Sequence, residues 1–269
     1  MPKVSVNILT KNRAMLLKQA LVSVHRQNFA DYEIVIINDG STDETQDVIQ
    51  TFKHLNIKTI EHQTSFGITF SRQEALLVSK GEYIAILDDD DEWINPDKLK
   101  KQVEFLDQNQ DCVLVGGGIS IISNSKFLIS KQISNPNAPP LIPLFDKGGS
   151  GGVFRPETDG QIRKTMLLRN NFFTSTIMFR REAALKAGGF IKDQDDFAED
   201  YDLWLRMGRL GKMHNFQEAF TKYRLPDYTK EKLKAFFKKQ LRLINRYKKD
   251  YQLYWLAFLI LKLRINFSF

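Results

Sequence analysis

Cysteine is nearly absent: Cys112 is the single one in 269 residues. A disulfide framework is thereby excluded, and the apolar surroundings "CVLVGGG" make this thiol a buried structural one with no redox role. Long apolar runs are missing too. The most hydrophobic stretch, "LYWLAFLILKL" at 253–263, falls well short of the roughly 20 residues that a bilayer-crossing helix needs. The opening "MPKVSVNILTKNR" has no basic n-region, no apolar h-region and no small-residue cleavage site, so the expected compartment is the cytosol. Glycine is missing where two nucleotide-using enzyme classes require it. "LTKNRAMLL", at the end of the first apolar run, holds none. This counts against the GxGxxG fingerprint of a dinucleotide oxidoreductase and the basic glycine loop of a sugar-phosphate nucleotidylyltransferase. No internal repeat of useful period is present.

What the chain does have is enough apolar material for a full core: 42% of its residues are hydrophobic, in one large α/β domain or a domain with an appendage. The formal net charge is +7, unevenly spread. From Lys222 to Arg264, thirteen Lys and Arg stand against Asp227, Glu231 and Asp250, so this segment carries +10 and the rest of the chain −3. The basic character belongs to the tail.

Strand and helix patterns alternate through the first half. "KVSVNIL" (3–9) alternates apolar and polar, and "AMLLKQALVSVHRQ" (14–27) carries Leu17, Ala20, Leu21 and Val24 at helical spacing. "YEIVIIN" (32–38), "IKTIE" (57–61) and "EYIAIL" (82–87) read as strands, with a helix over about 69–79. Ser41 with Glu44 three residues on predicts a capping box at a second helix start. Short links between such elements imply a mostly parallel central sheet with helices on both faces. Ligands of these sheets bind at the carboxyl ends of the strands, where this chain places Thr10, Lys11, Asn12, Asn38, Asp39 and an aspartate run. Residues 134–160, rich in Pro, Gly and Asn, show no clear period and are expected to form a mobile functional loop that closes over a ligand.

The aspartate run, Asp88 to Asp91, follows a buried strand. Four like charges in sequence are either a solvated turn ahead of the next helix or a site for a hard cation such as Mg²⁺ or Mn²⁺. Asp39 is either a turn residue or, on the same rim, an acceptor for a base N–H. Glu199, Asp200 and Asp202 precede an apolar helical pattern, where the helix dipole favours acids without any role. Adjacent positions on a helix point apart, so one of Glu199 and Asp200 faces a cleft and the other the scaffold.

Taken in order, "VSVNILTKNR", "EIVIINDGSTDET", "GEYIAILDDDDEW", "FRREAALKAGGF" and "EDYDLWLRMGRLG" resemble the family 2 glycosyltransferases of the GT-A fold, over roughly residues 1–225. The resemblance implies a nucleotide-sugar donor, usually a UDP-sugar, a divalent metal, and transfer with inversion at the anomeric carbon. It assigns Asp39 to the nucleotide base, with Thr10 in the segment that backs it, and Arg72 to the nucleotide side. Asp88 and Asp90 match the two ends of the Asp-x-Asp motif, the first near the ribose and the second on the metal, and Asp200 matches the catalytic base. Leu9, Asn38 and Gln73 stand where the family commonly has proline, aspartate and asparagine. "DEWINP" is one residue longer before its proline, which lets Asp89 or Asp91 share the duty of Asp88 and Asp90. A non-catalytic nucleotide-sugar binding module is the rival reading.

Residues 226–269 form a separate basic tail. From Tyr228, Leu233, Phe237, Leu241, Ile244 and Tyr251 share one helical face among Lys and Arg. Such a segment suits either the anionic inner face of a membrane, near a lipid-linked or envelope acceptor, or packing on its own domain or a second subunit as a homodimer. Nucleic acid is not an expected partner, because the aromatics lie on apolar faces and not among exposed basic residues.

Overall fold

A computed structural model describes residues 1–122, 146–147, 152–191, 198–224 and 229–266. Its framework follows from the patterns above. β1 (Val4–Thr10) and β2 (Tyr32–Asn38) are buried along almost their whole length, as expected of strands covered on both faces. They pair in parallel, and β2 pairs in parallel with β3 (Ile57–Glu61) and β1 with β4 (Tyr83–Ile86). α1 (Ala14–His25), α2 (Thr45–Thr51) and α3 (Ile68–Val78) make the crossovers. α1 turns Leu17, Ala20, Leu21 and Val24 inward, the four positions its spacing singled out.

The remaining strands are β5 (Glu92–Trp93), β6 (Cys112–Ile122), β7 (Asp146–Lys147), β8 (Gly152–Phe154), β9 (Met178–Arg180) and β10 (Lys212–Arg224). They extend one ten-stranded sheet in the order β3-β2-β1-β4-β9-β6-β10-β5, with β8 on β6 and β7 on β8. The first four strands are parallel. β9 enters antiparallel to both β4 and β6, so the complete sheet is mixed. The later helices are α4 (Lys98–Gln108), α5 (Asp159–Thr165), α6 (Arg181–Lys186), α7 (Glu199–Met207), α8 (Lys230–Arg246) and α9 (Tyr254–Asn266). A short 3₁₀ turn spans Thr174–Thr176.

Two large apolar clusters lie on the two sides of the sheet. One gathers α1, α4 and the inner residues of β1, β2 and β4. The other centres on Trp204, Phe179 and Tyr201 and takes in Leu243, Ile244, Tyr247, Tyr251, Ala257 and Leu261 of the tail. Cys112 is buried, its Sγ directed to the Leu114 carbonyl at 3.5 Å, and burial raises the thiol pKa to about 11. A structural thiol is what this describes.

Two expectations are corrected. α2 begins at Thr45, not behind a Ser41–Glu44 capping box. The Ser41 hydroxyl instead accepts from Asn12 N at 2.9 Å, tying the loop after β2 to the loop after β1. Within 134–160, residues 134–145 and 148–151 lie outside the described residues. The described part is not a structureless loop, because it holds β7, β8 and the start of α5, the last with a full capping box of Thr158 and Gln161.

Candidate active site

The parallel half of the sheet brings the ends of β1, β2 and β4 to one rim. Thr10 is buried there, and its carbonyl accepts from Asp39 N at 2.9 Å. The Asp39 carboxylate accepts four hydrogen bonds: from His62 Nδ1 at 2.7 Å, Ser65 Oγ at 2.5 Å, Phe66 N at 2.8 Å and Gly67 N at 3.1 Å. Two bonds per oxygen is its full capacity. Burial alone would raise its pKa, but these donors outweigh burial and hold the carboxyl well below the ordinary range. Gly40, at φ +77, lets the chain turn directly against Thr64 and Ser65, where a Cβ would lie 3.0 Å from backbone.

The aspartate run lies beyond the end of β4, in a turn closed by Asp91 N donating to the Asp88 carbonyl at 3.1 Å. Asp88 and Asp90 are partly exposed, with side chains 33% and 27% accessible, whereas Asp89 and Asp91 are buried. Arg13 Nη1 pairs with Asp89 Oδ1 at 2.8 Å and Asp90 Oδ2 at 3.1 Å. Burial raises Asp89 to about 6 despite that partner. Asp90 is also raised, by burial and by the charge of Asp88. Asp91 turns inward, accepting from Ser175 Oγ at 2.6 Å and Arg224 N at 2.9 Å, and burial lifts it to about 8.

Arg72 joins this rim to α7. Its guanidinium is buried, with Nη2 donating to Asp88 Oδ1 at 3.0 Å and Nε 2.9 Å from Glu199 Oε1. Burial raises Glu199 to about 7, against the pull of Arg72. Asp200, next in sequence, takes another direction: its Oδ2 accepts from Thr174 Oγ1 and its Oδ1 from Tyr201 N, both at 2.6 Å. Of the two acids at this helix start, Glu199 serves the scaffold and Asp200 stays part-exposed. Ala198, just ahead of them, is held left-handed at φ +53, a strained conformation for an L-residue.

The site therefore brings Asp88, Asp90, Arg72 and Asp200 into one connected set, with Thr10 and Asp39 on the neighbouring strand ends. Thr174 and Ser175 were not anticipated. Ser175 Oγ accepts from Asp88 N at 3.0 Å while donating to Asp91, so this turn binds the aspartate run on one side and Asp200 on the other. The only sign of it in the sequence is a polar triplet inside the apolar "FFTSTIMF". The departures from the family pattern are bonded into the fold as well: Gln73 Oε1 accepts from Phe190 N at 2.7 Å, and Asn38 Oδ1 from Ser41 N at 3.1 Å.

Among the described residues no group of three or more His, Cys, Asp or Glu is placed to cage a metal. Two part-exposed carboxylates one residue apart are nevertheless the donor set that a hard, hydrated dication takes together with substrate phosphate oxygens. Asp88 and Asp90 fit that demand.

The sequence profile of glycosyl transferase family 2 matches residues 5–186. The chain belongs to this family. Two curated relatives are each 28% identical to it: an uncharacterized glycosyltransferase of Haemophilus influenzae over 228 residues, and the putative colanic acid biosynthesis glycosyl transferase WcaA of Escherichia coli over 211. These alignments cover 83% and 77% of this chain, which spans 66% of each relative, just under two thirds. Among solved structures, S. aureus TarS 1-349 in complex with UDP-GlcNAc superposes with a TM-score of 0.70 at 19% identity, covering 99% of this chain and 73% of that one. The mannosyltransferase PcManGT of Pyrobaculum calidifontis, in complex with GDP-Man and Mn²⁺, gives 0.66 at 16%, covering 98% and 70%. The shared fold is that of GT-A glycosyltransferases.

Proposed function

We propose that this protein is an inverting, metal-dependent glycosyltransferase. It moves a sugar from a nucleotide-sugar, a UDP-sugar, to a hydroxyl of a saccharide or lipid-linked acceptor in cell-envelope polysaccharide synthesis on the cytoplasmic side. The observation that carries this reading is the Asp88–Arg72–Glu199 link, which couples the exposed carboxylates after β4 to the helix start bearing Asp200. The UDP-GlcNAc complex of TarS and the role in WcaA's name support the donor and the envelope assignment.

Asp90, with Asp88 towards the ribose, would hold Mn²⁺ or Mg²⁺, which when bound supplies Lewis-acid stabilisation of the diphosphate leaving group. Asp89 contributes by keeping Arg13 beside Asp90. Arg72 fixes Asp88 and adds positive charge on the nucleotide side. Asp39 reads the base N–H by exchanging one of its four bonds, and the Ser65 hydroxyl is the donor that can rotate away. Asp200 takes the proton from the acceptor hydroxyl as it attacks the anomeric carbon from the face opposite the diphosphate, in one inverting displacement. Thr174 Oγ1 and Tyr201 N aim that carboxylate by leaving it one free direction per oxygen.

Two variants separate the roles. Asp200→Asn should retain UDP binding in a thermal-shift assay with Mn²⁺ and lose transfer by about 10²–10⁴-fold. Asp90→Ala should lose the metal-dependent part of UDP binding. Full activity in either variant removes its assignment, and a wild-type chain that binds UDP with Mn²⁺ but transfers no sugar would be a binding module.

A further inference from the structure

From Tyr254 to Leu261 α9 is apolar on every side, but only one side is covered. Ala257 and Leu261 are buried against the core, whereas Trp255 is 76% exposed, Leu259 56%, Leu263 48% and Leu256 46%. At about 100° per residue, these four exposed side chains share an arc of about 100°, opposite the two buried ones. Singly exposed apolar residues need no explanation, but a contiguous stripe of four does.

Charge indicates what covers it. Lys262 is exposed and lies about 20° from Trp255 around the helix. Lys248 and Lys249, in the turn that leads into α9, are exposed as well. The nearby acid Asp250 is taken up by Arg209 at 2.6 Å. Counted along the chain, the tail from Lys222 to Arg264 carries +10. A second copy of the chain would bring an equally basic margin against it and be repelled. An apolar stripe about 12 Å long, with Trp255 at one end and a basic margin, matches the headgroup level of an anionic bilayer, lying in its plane. No helix among the described residues is long and apolar enough to cross.

We propose that the outer face of α9, formed by Trp255, Leu256, Leu259 and Leu263, docks the protein on anionic lipid at a membrane surface. This goes beyond the transfer reaction and does not depend on it.

Trp93 and Trp204 are buried at 4% and 0% exposure, so Trp255 is the one exposed tryptophan of three and reports on this face alone. The full chain should float with vesicles of phosphatidylcholine containing phosphatidylglycerol, with a blue shift of tryptophan emission and quenching by brominated lipid. Pure phosphatidylcholine or raised salt should reduce the bound fraction severalfold. Leu259→Gln with Leu263→Gln should reduce it by at least about tenfold while leaving the melting temperature unchanged. Trp255→Ser provides the same comparison if the double variant fails to fold. Absence of flotation with anionic vesicles, wild-type flotation by the variants, or equal binding to neutral vesicles would overturn the proposal. So would a dimer that these substitutions dissociate without lipid, which would assign the face to a second copy.

Discussion

Asp39 and His62 illustrate how a single proton can organise the rim. His62 Nδ1 lies 2.7 Å from Asp39 and Nε2 2.8 Å from Glu74, and both partners are carboxylates that only accept. Both ring nitrogens must then donate, which only the imidazolium can do. Burial works against that charge, but the two carboxylates outweigh it, so the His62 pKa is raised above 6.5. A group with a raised folded pKa contributes stability that is complete below its unfolded value and lost as pH climbs through the folded one. Asp39 has the opposite sign: lowered from 3.8, its contribution is present above that value and lost as pH falls through the folded one. The joint between the loops after β2 and β3 is therefore strongest between those limits. Relative to wild type, His62→Gln should melt lower at pH 6 by about 2–4 °C for each kcal/mol lost, and the gap should narrow by pH 9. A pH-independent gap between the melting curves would contradict the charged-histidine account. Much of this site was legible beforehand at the level of residues. Asp88 and Asp90, singled out as the two ends of the Asp-x-Asp match, are the part-exposed pair, while Asp89 and Asp91 are buried in the turn that Asp91 N closes on the Asp88 carbonyl. That Asp39 would spend all four lone-pair directions on its own chain was not legible, because its donors come from residues 62–67, across a strand crossover.

At the scale of elements, local pattern and tertiary pairing diverge. β1, α1, β2, β3 and α3 appear within a residue or two of their sequence bounds, since each has a period of its own. β9 is only three residues long and is made a strand by lying between β4 and β6. The capping box at Ser41 failed for a related reason: the hydroxyl and the backbone of Asn12 found each other first. The 3₁₀ turn at Thr174–Thr176 is the extreme case, with no propensity to announce it and contacts in every direction. Trp93 Nε1 donates to the Ser175 carbonyl at 2.7 Å and Gln102 Nε2 to the Thr176 carbonyl at 2.8 Å, so its position is fixed from both sides. Removing the Ser175 hydroxyl leaves Asp91 with a buried lone pair and Asp88 N without an acceptor. Ser175→Ala should cost roughly 1–3 kcal/mol by urea unfolding and weaken Mn²⁺-dependent UDP binding, although Ser175 itself is not assigned to the donor. Undiminished stability together with undiminished binding would show that the turn does not support the aspartate run.

The whole molecule depends on what the basic tail does for the domain. Tyr247 Oη donates to Asp202 Oδ1 at 2.5 Å, Tyr251 Oη to the Leu205 carbonyl at 2.7 Å, and both rings enter the cluster around Trp204. α7, which carries Glu199 and Asp200 at its start, is thus clamped from behind by the segment after β10. Burying Leu243, Ile244, Tyr247, Tyr251 and Leu261 at roughly 1.5–3 kcal/mol each contributes about 8–15 kcal/mol. That is the size of a whole domain's net stability, about 5–15 kcal/mol. Deleting residues 229–269 should therefore not release a working catalytic domain. The expected product is a chain that aggregates or melts without cooperativity, with Trp204 emission shifted to the red as its cover is lost. If the shortened chain unfolds cooperatively within a few degrees of the full one and still responds to UDP with Mn²⁺, the clamp is dispensable and the tail is a true appendage. The same packing decides how lipid docking must be tested: loss of flotation on truncation would report a collapsed core, whereas substitutions confined to the outer stripe of α9 leave the clamp in place and isolate the surface.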